Sequence, residues 1–112
     1  MITPSPSFKD NLQQLPAIDA IARIDLIDGT DTVVATIENQ PGKQGSVAVY
    51  QYLRESFGAL DANAARHGLD MFGEHTADAR NRPGAHPNID RLIAIADGAE
   101  PLAIRIIAKD HA

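Results

Sequence analysis

Two stretches of this chain hold residue types that can do chemistry. The first is Pro41-Gly42-Lys43-Gln44-Gly45-Ser46. Glycines let a backbone turn several N–H groups toward one point, and a following helix adds its unpaired N–H groups and positive dipole end. Lys43 supplies charge and Ser46 a hydroxyl, so Lys43, Gly45 and Ser46 are candidate ligands for a phosphate or carboxylate. The nucleotide-binding pattern Gly-x4-Gly-Lys-Ser/Thr is absent, because this lysine precedes the second glycine. The plainer reading is a strand-to-helix connection in which Ser46 caps the helix.

The second stretch runs from His67 to Asp90. His75 and Asp78 are three apart, hence on one face of a helix, and His86 lies in the next loop, able to fold back toward them. Two imidazoles and a carboxylate suit a zinc or iron ion with an open position, with Glu74 as a base. His75, Asp78 and His86 are thus the candidate metal ligands, and a divalent metal is the one cofactor to weigh. There is no His-Glu-x-x-His signature. The structural alternative is a half-buried His75 bonded to Asp78, with His67, Asp70 and Glu74 on the solvated face.

Other chemistry finds less support. Ser46 and Ser56 are the only serines beyond the N-terminal residues, and neither sits in a Gly-x-Ser-x-Gly elbow or beside a recognisable base. Asp25, Asp28 and Asp31 surround a turn, where Asp is favoured by its own backbone bonds, and the calcium-loop pattern is missing.

These residues need elements to position them. Ser7 reads as the cap of a short helix carrying Phe8, Leu12 and Leu15 on one face, stopped by Pro16. Residues 20–28 and 32–38 alternate apolar and polar around an Asp28-Gly29 turn, which predicts an antiparallel hairpin. A helix follows from Ser46, burying Val49, Tyr50, Leu53 and Phe57 and ending at Gly58. Asp61 caps a longer one to about Arg80, with Ala65, Leu69, Phe72, Thr76 and Ala79 in one stripe. Gly68 and Gly73 weaken it, so two shorter helices with a kink are an alternative. Asn88 caps another helix, with Ile89, Leu92, Ile93 and Ala96 inward and Gly98 at its end. Alternation returns at 102–109 as a third strand.

The fold class is therefore α+β: a three-stranded antiparallel or mixed sheet, hairpin plus C-terminal strand, with three to four helices mainly on one face. The strand order expected is 2-1-3, because the first strand has the longest apolar run. Ile21, Ile27, Val34 and Ile107 then fall on the other face, to be covered by the N-terminal helix or a second subunit. Residues 1–6 read as a flexible arm, 7–109 as a single domain and 110–112 as a frayed tail.

Composition narrows the function. A net charge of −5, ten scattered basic residues and few aromatics disfavour nucleic acid. The absence of cysteine excludes a disulfide scaffold, a thiolate metal site and a cysteine nucleophile. No long apolar run or signal peptide is present, so no membrane is expected and the cytoplasm is the default.

Two blocks, ENQPGKQGSVAVYQYL (Glu38 to Leu53) and EHTADARNRPGAHPNIDRL (Glu74 to Leu92), resemble a bacterial family of short proteins known as a domain of unknown function. The resemblance runs from Phe8 to about Ile107. It implies a stand-alone bacterial cytoplasmic protein and brings no activity, cofactor or site residue. On residues alone, the first expectation is a non-enzymatic interaction or regulatory module, homo-oligomeric and with a protein partner. The alternative is a small-molecule or anion-binding protein, or a metal-dependent enzyme. That alternative requires the Gly42–Ser46 loop and the His75–His86 segment to meet in one pocket.

Overall fold

The computed structural model describes residues 1–109, so the tail expected to fray lies outside the described residues. The elements are α1 (Phe8–Gln13), β1 (Ile21–Ile27), β2 (Val33–Glu38), α2 (Gln44–Phe57), β3 (Ala59–Leu60), α3 (Ala62–Met71), α4 (Glu74–Asn81), α5 (Pro87–Ala96) and β4 (Leu102–Ala108). The class is α+β, as expected, and the sheet is antiparallel in the order β2-β1-β4-β3. The first strand does lie between its hairpin partner and the C-terminal strand. The described residues add one strand and one helix to the expected set. The extra strand, β3, pairs Ala59 with Ala103 and Leu60 with Leu102, and two residues have no period to read.

Two bulges shape the sheet. Ile21 pairs with Ala108 but Arg23 with Ile107, which leaves Ala22 as a surplus residue on β1. The slip turns Ile21 into the core beside Ile24 and Leu26, where strict alternation put it on the opposite face. On the other side Leu26 pairs with Ala35 and Ile27 with Val33, so Val34 is surplus on β2 and stands 51% exposed. Ile27 is also buried, against expectation. The N-terminal helix does not cover the outer face, because α1 packs on α2 and α3.

α2 lies against β1, β2 and β4 on one side and against α1 and α3 on the other. It therefore buries Val47, Ala48, Val49, Tyr50, Tyr52 and Leu53, more than one stripe. α3 packs on α2 and α5. Asp61 caps α3 as the sequence suggests, its carboxylate accepting the Ala64 N–H at 2.9 Å. The expected long helix breaks at Phe72–Gly73. Gly73 has φ 58°, and a Cβ there would stand 2.7 Å from the Pro6 carbonyl oxygen. The break thus makes room for the chain entering α1.

That incoming chain, expected as a loose arm, is strapped down. Ile2 N–H donates to the Tyr52 hydroxyl at 3.0 Å, and Ser5 N–H to Asn11 Oδ1 at 2.8 Å. Asn11, fully buried, donates in turn to the carbonyls of Ser5 and Met71. Ser7 caps α1 as expected.

Candidate functional site: a cleft between the starts of two helices

The starts of α2 and α5 lie side by side, and α1 and the α3–α4 junction close the space between them. The resulting cleft holds about 420 Å³. Gly42 to Ser46 form one wall, Ala85 to Ile89 another, and Phe8, Leu12, Phe72 and His75 the remainder. The two stretches singled out in the sequence therefore meet in one hollow.

The loop before α2 turns at Gly42, with φ 86°, and the Lys43 N–H closes the turn on the Gln40 carbonyl at 2.9 Å. The helix consequently begins at Gln44, three residues ahead of expectation. Lys43 occupies the cap position without a side-chain cap bond, so Ser46 is a first-turn residue and not the cap. The N–H groups of Gln44, Gly45 and Ser46 have no intrahelical acceptor. Gly45 serves packing as well: a Cβ there would come within 2.7 Å of the Phe8 ring.

α5 begins two residues early for a similar reason. Pro87 takes the first helical position and His86 the cap, again with no side-chain cap bond, so Asn88 is not the cap. Asn88 Oδ1 instead accepts from Arg91, at 3.0 Å. The Tyr50 hydroxyl donates to the Asn88 carbonyl at 2.6 Å and accepts from Arg91 at 3.0 Å, tying α5 to α2. Burial pushes the Tyr50 phenol up to about 12, against the pull of Arg91. Nothing in the sequence distinguished Tyr50 from an ordinary core residue.

The aromatic wall is ordered. Phe8 stacks on Phe72 with centroids 5.4 Å apart, His75 meets the Phe8 edge at 5.1 Å, and the His75 and His86 rings stand 5.9 Å apart. Glu74, weighed as a base, accepts the Phe8 N–H at 2.9 Å and so anchors α1. That bond, its own N–H and nearby His75 hold its carboxyl below the usual range.

Asp78 bonds His86, not His75. His86 Nε2 stands 2.6 Å from Asp78 Oδ2, and Arg82 forks onto the same carboxylate, with Nε 2.9 Å from Oδ1. Arg82 first, then His86, holds the Asp78 carboxyl well below its ordinary value. His75 reaches only Glu74, at 3.9 Å. Among the described residues no group of three or more His, Asp or Glu side chains is gathered to hold a metal ion. His75, Asp78 and His86 are neighbours but not assembled as a ligand set.

Ser46 shares the cleft with both histidines, but among the described residues no hydrogen bond joins it to either. Ser56 sits in the last turn of the same helix, at its far end. His67 lies elsewhere on α3, 2.8 Å from the Tyr52 hydroxyl, and burial lowers its pKa. Sequence reasoning missed the apolar part of the site. Phe8, Leu12 and Phe72 read as core, and only packing shows that part of their surface faces the hollow.

Among the described residues no helix is long and apolar enough to cross a membrane. No curated protein matches the chain, and no solved structure does. The family described as uncharacterized proteins conserved in bacteria (DUF2322) matches residues 8–106, a span that takes in every wall of the cleft, and the chain belongs to that family.

Proposed function

We propose that the cleft binds a small organic anion, a carboxylate or phosphate ester with an apolar part. One observation carries the reading. In a chain of net charge −5, no Asp or Glu among the described residues lines the cleft, while Lys43, His75 and His86 do. Two uncapped helix starts add donors and positive potential to the same walls. Phe8, Leu12, Phe72 and Ile89 give an apolar surface for the rest of the molecule. The volume of about 420 Å³ suits a small ligand. Benzoate, acetate and inorganic phosphate titrated into 15N-labelled protein test this. Benzoate should shift the amides of Gln44, Gly45, Ser46 and Asn88 more strongly than acetate does. Lys43→Ala should weaken benzoate about 10-fold, a change of ~1.4 kcal/mol, with an unchanged melting point. Silence of those amides at about 50 mM of every anion, weaker than millimolar binding by a wide margin, removes the reading.

A second reading, self-association, is favoured by β2. It is an edge strand, and its Val33 and Val34 are 46% and 51% exposed. Two copies could pair there by adding strand to strand, which also fits an interaction or regulatory role. Native mass spectrometry over rising concentration decides it: a monomer throughout excludes this pairing.

A further inference from the structure

We infer that His86 exchanges protons with the molecule held in the cleft, positioned for that task by Asp78; the inference rests on the binding reading above. His86 lines the cleft, and the carboxylate it bonds, Asp78, does not. The Nε2 edge is fixed on Asp78 Oδ2 at 2.6 Å, and Arg82 holds both oxygens of the same carboxylate. A nitrogen bonded to a carboxylate keeps its proton, which leaves the lone pair on Nδ1. That nitrogen is uncommitted: His86 caps α5 through its backbone alone, and among the described residues nothing bonds Nδ1.

A general base needs a free lone pair within reach of the ligand and a carboxylate that holds the ring and offsets the imidazolium that forms. In the step, an O–H or C–H proton of the bound anion passes to Nδ1, and the electron pair of the broken bond stays on that oxygen or carbon. Imidazolium, carboxylate and the Arg82 guanidinium then carry one net positive charge beside the ligand anion. Return of the proton to another position of the ligand restores His86, so the reaction class is isomerisation by proton transfer, with no further reactant. The charged and titratable groups around the ring are Asp78 and His75 on α4, Arg82 just after it and Lys43 at the start of α2; Asp90 is occupied by the Gly84 N–H at 2.9 Å.

The competing account is that the Asp78–His86–Arg82 bonds merely clip residues 82–86 to α4. Diethyl pyrocarbonate separates the two, with modification of each histidine followed by peptide mass spectrometry on the full chain. A positioned base predicts that Asp78→Asn lowers the limiting alkaline rate at His86 about 5-fold, and that Asp78→Glu restores part of it. A clip predicts the reverse, since Asp78→Asn frees the ring, and an unchanged or faster rate overturns the inference. Benzoate should also slow modification of His86. A full rate while benzoate shifts the Gln44–Ser46 amides places the ring away from the ligand and overturns it too. Absence of any benzoate shift is a failure of the binding reading, read independently of the Asp78→Asn rates.

Discussion

The hairpin end of the sheet and the cleft between α2 and α5 are both hollows lined by charged residues, yet they commit their polar groups in opposite ways. The hairpin depression is the larger, about 680 Å³, with Asp28, Asp31, Glu55, Arg54 and Arg105 around it. Much of its hydrogen-bonding capacity is used within the chain. Asp28 Oδ1 accepts from the Thr30 N–H, the Thr30 hydroxyl and the Thr32 N–H at 2.7–3.0 Å. Arg54 Nε donates to the Ile104 carbonyl at 3.2 Å, and Arg105 faces Asp31 at 3.8 Å. Just beyond, Asp25 is buried on the outer face, accepting from Arg23 and Thr36. In the cleft the imbalance runs the other way, with donors at two helix starts and, among the described residues, no carboxylate on the walls. An acidic chain has placed acceptors where its own backbone needs them and left unpaired donors in one place.

Substitutions should separate the two regions. The largest effect is expected from Gly73→Ala, which strains a positive φ and drives a Cβ into the backbone of Pro6 and Phe8. It should cost about 3 kcal/mol in urea unfolding and abolish the benzoate shifts, because α1 loses its seat. Tyr50→Phe leaves the Asn88 carbonyl and Arg91 without their shared hydroxyl. A loss of about 1.5 kcal/mol is expected, with weaker benzoate binding, since the start of α5 is no longer tied to α2. Equal binding in that variant would show that the α5 wall needs no such tie.

The smallest effect should come from Asp28→Asn, at the other hollow. The Thr30 hydroxyl, then the Thr32 and Thr30 N–H groups, hold the Asp28 carboxyl below its unfolded value of 3.8. A lowered folded value stabilises above the unfolded one, and the gain disappears as pH falls through the folded value. The variant should therefore melt below the wild type at pH 6, converge with it in acid below the lowered value, and bind benzoate normally. Altered binding would mean that the two hollows communicate.

How far the sequence could be read depended on how local the physics was. The Asp28-Gly29 turn between two alternating runs specifies a hairpin within a few residues, and it is there. The Ser7 and Asp61 caps were legible because a side chain closes on an N–H three residues away. Ser46 and Asn88 look like caps on the same grounds, yet a positive φ at Gly42 and the fixed φ of Pro87 start both helices earlier. The polar members of the cleft were legible as residue types, from Lys43 to His86. Their meeting was not, because it depends on α1 folding back over α2 and on Gly73 letting it pass. The bond from Asp78 to His86 in place of His75 is likewise a matter of tertiary geometry: the 82–86 loop returns toward α4, while His75 turns to the Phe8 ring.

The surplus residue at Ala22 has a consequence for length variation among chains of this kind. Between Ile18 and Arg23 the chain is entering a sheet whose two faces differ, one apolar and one mixed. Removing a single residue there would not shorten a connection. It would reassign Ile21, and the segment leading to it, to the opposite side of the sheet. Ala22 thus works as a parity marker: insertions in steps of two preserve the assignment of faces, and single ones invert it. The neighbouring loops carry no such rule, so tolerance to indels should drop sharply at this point in the chain.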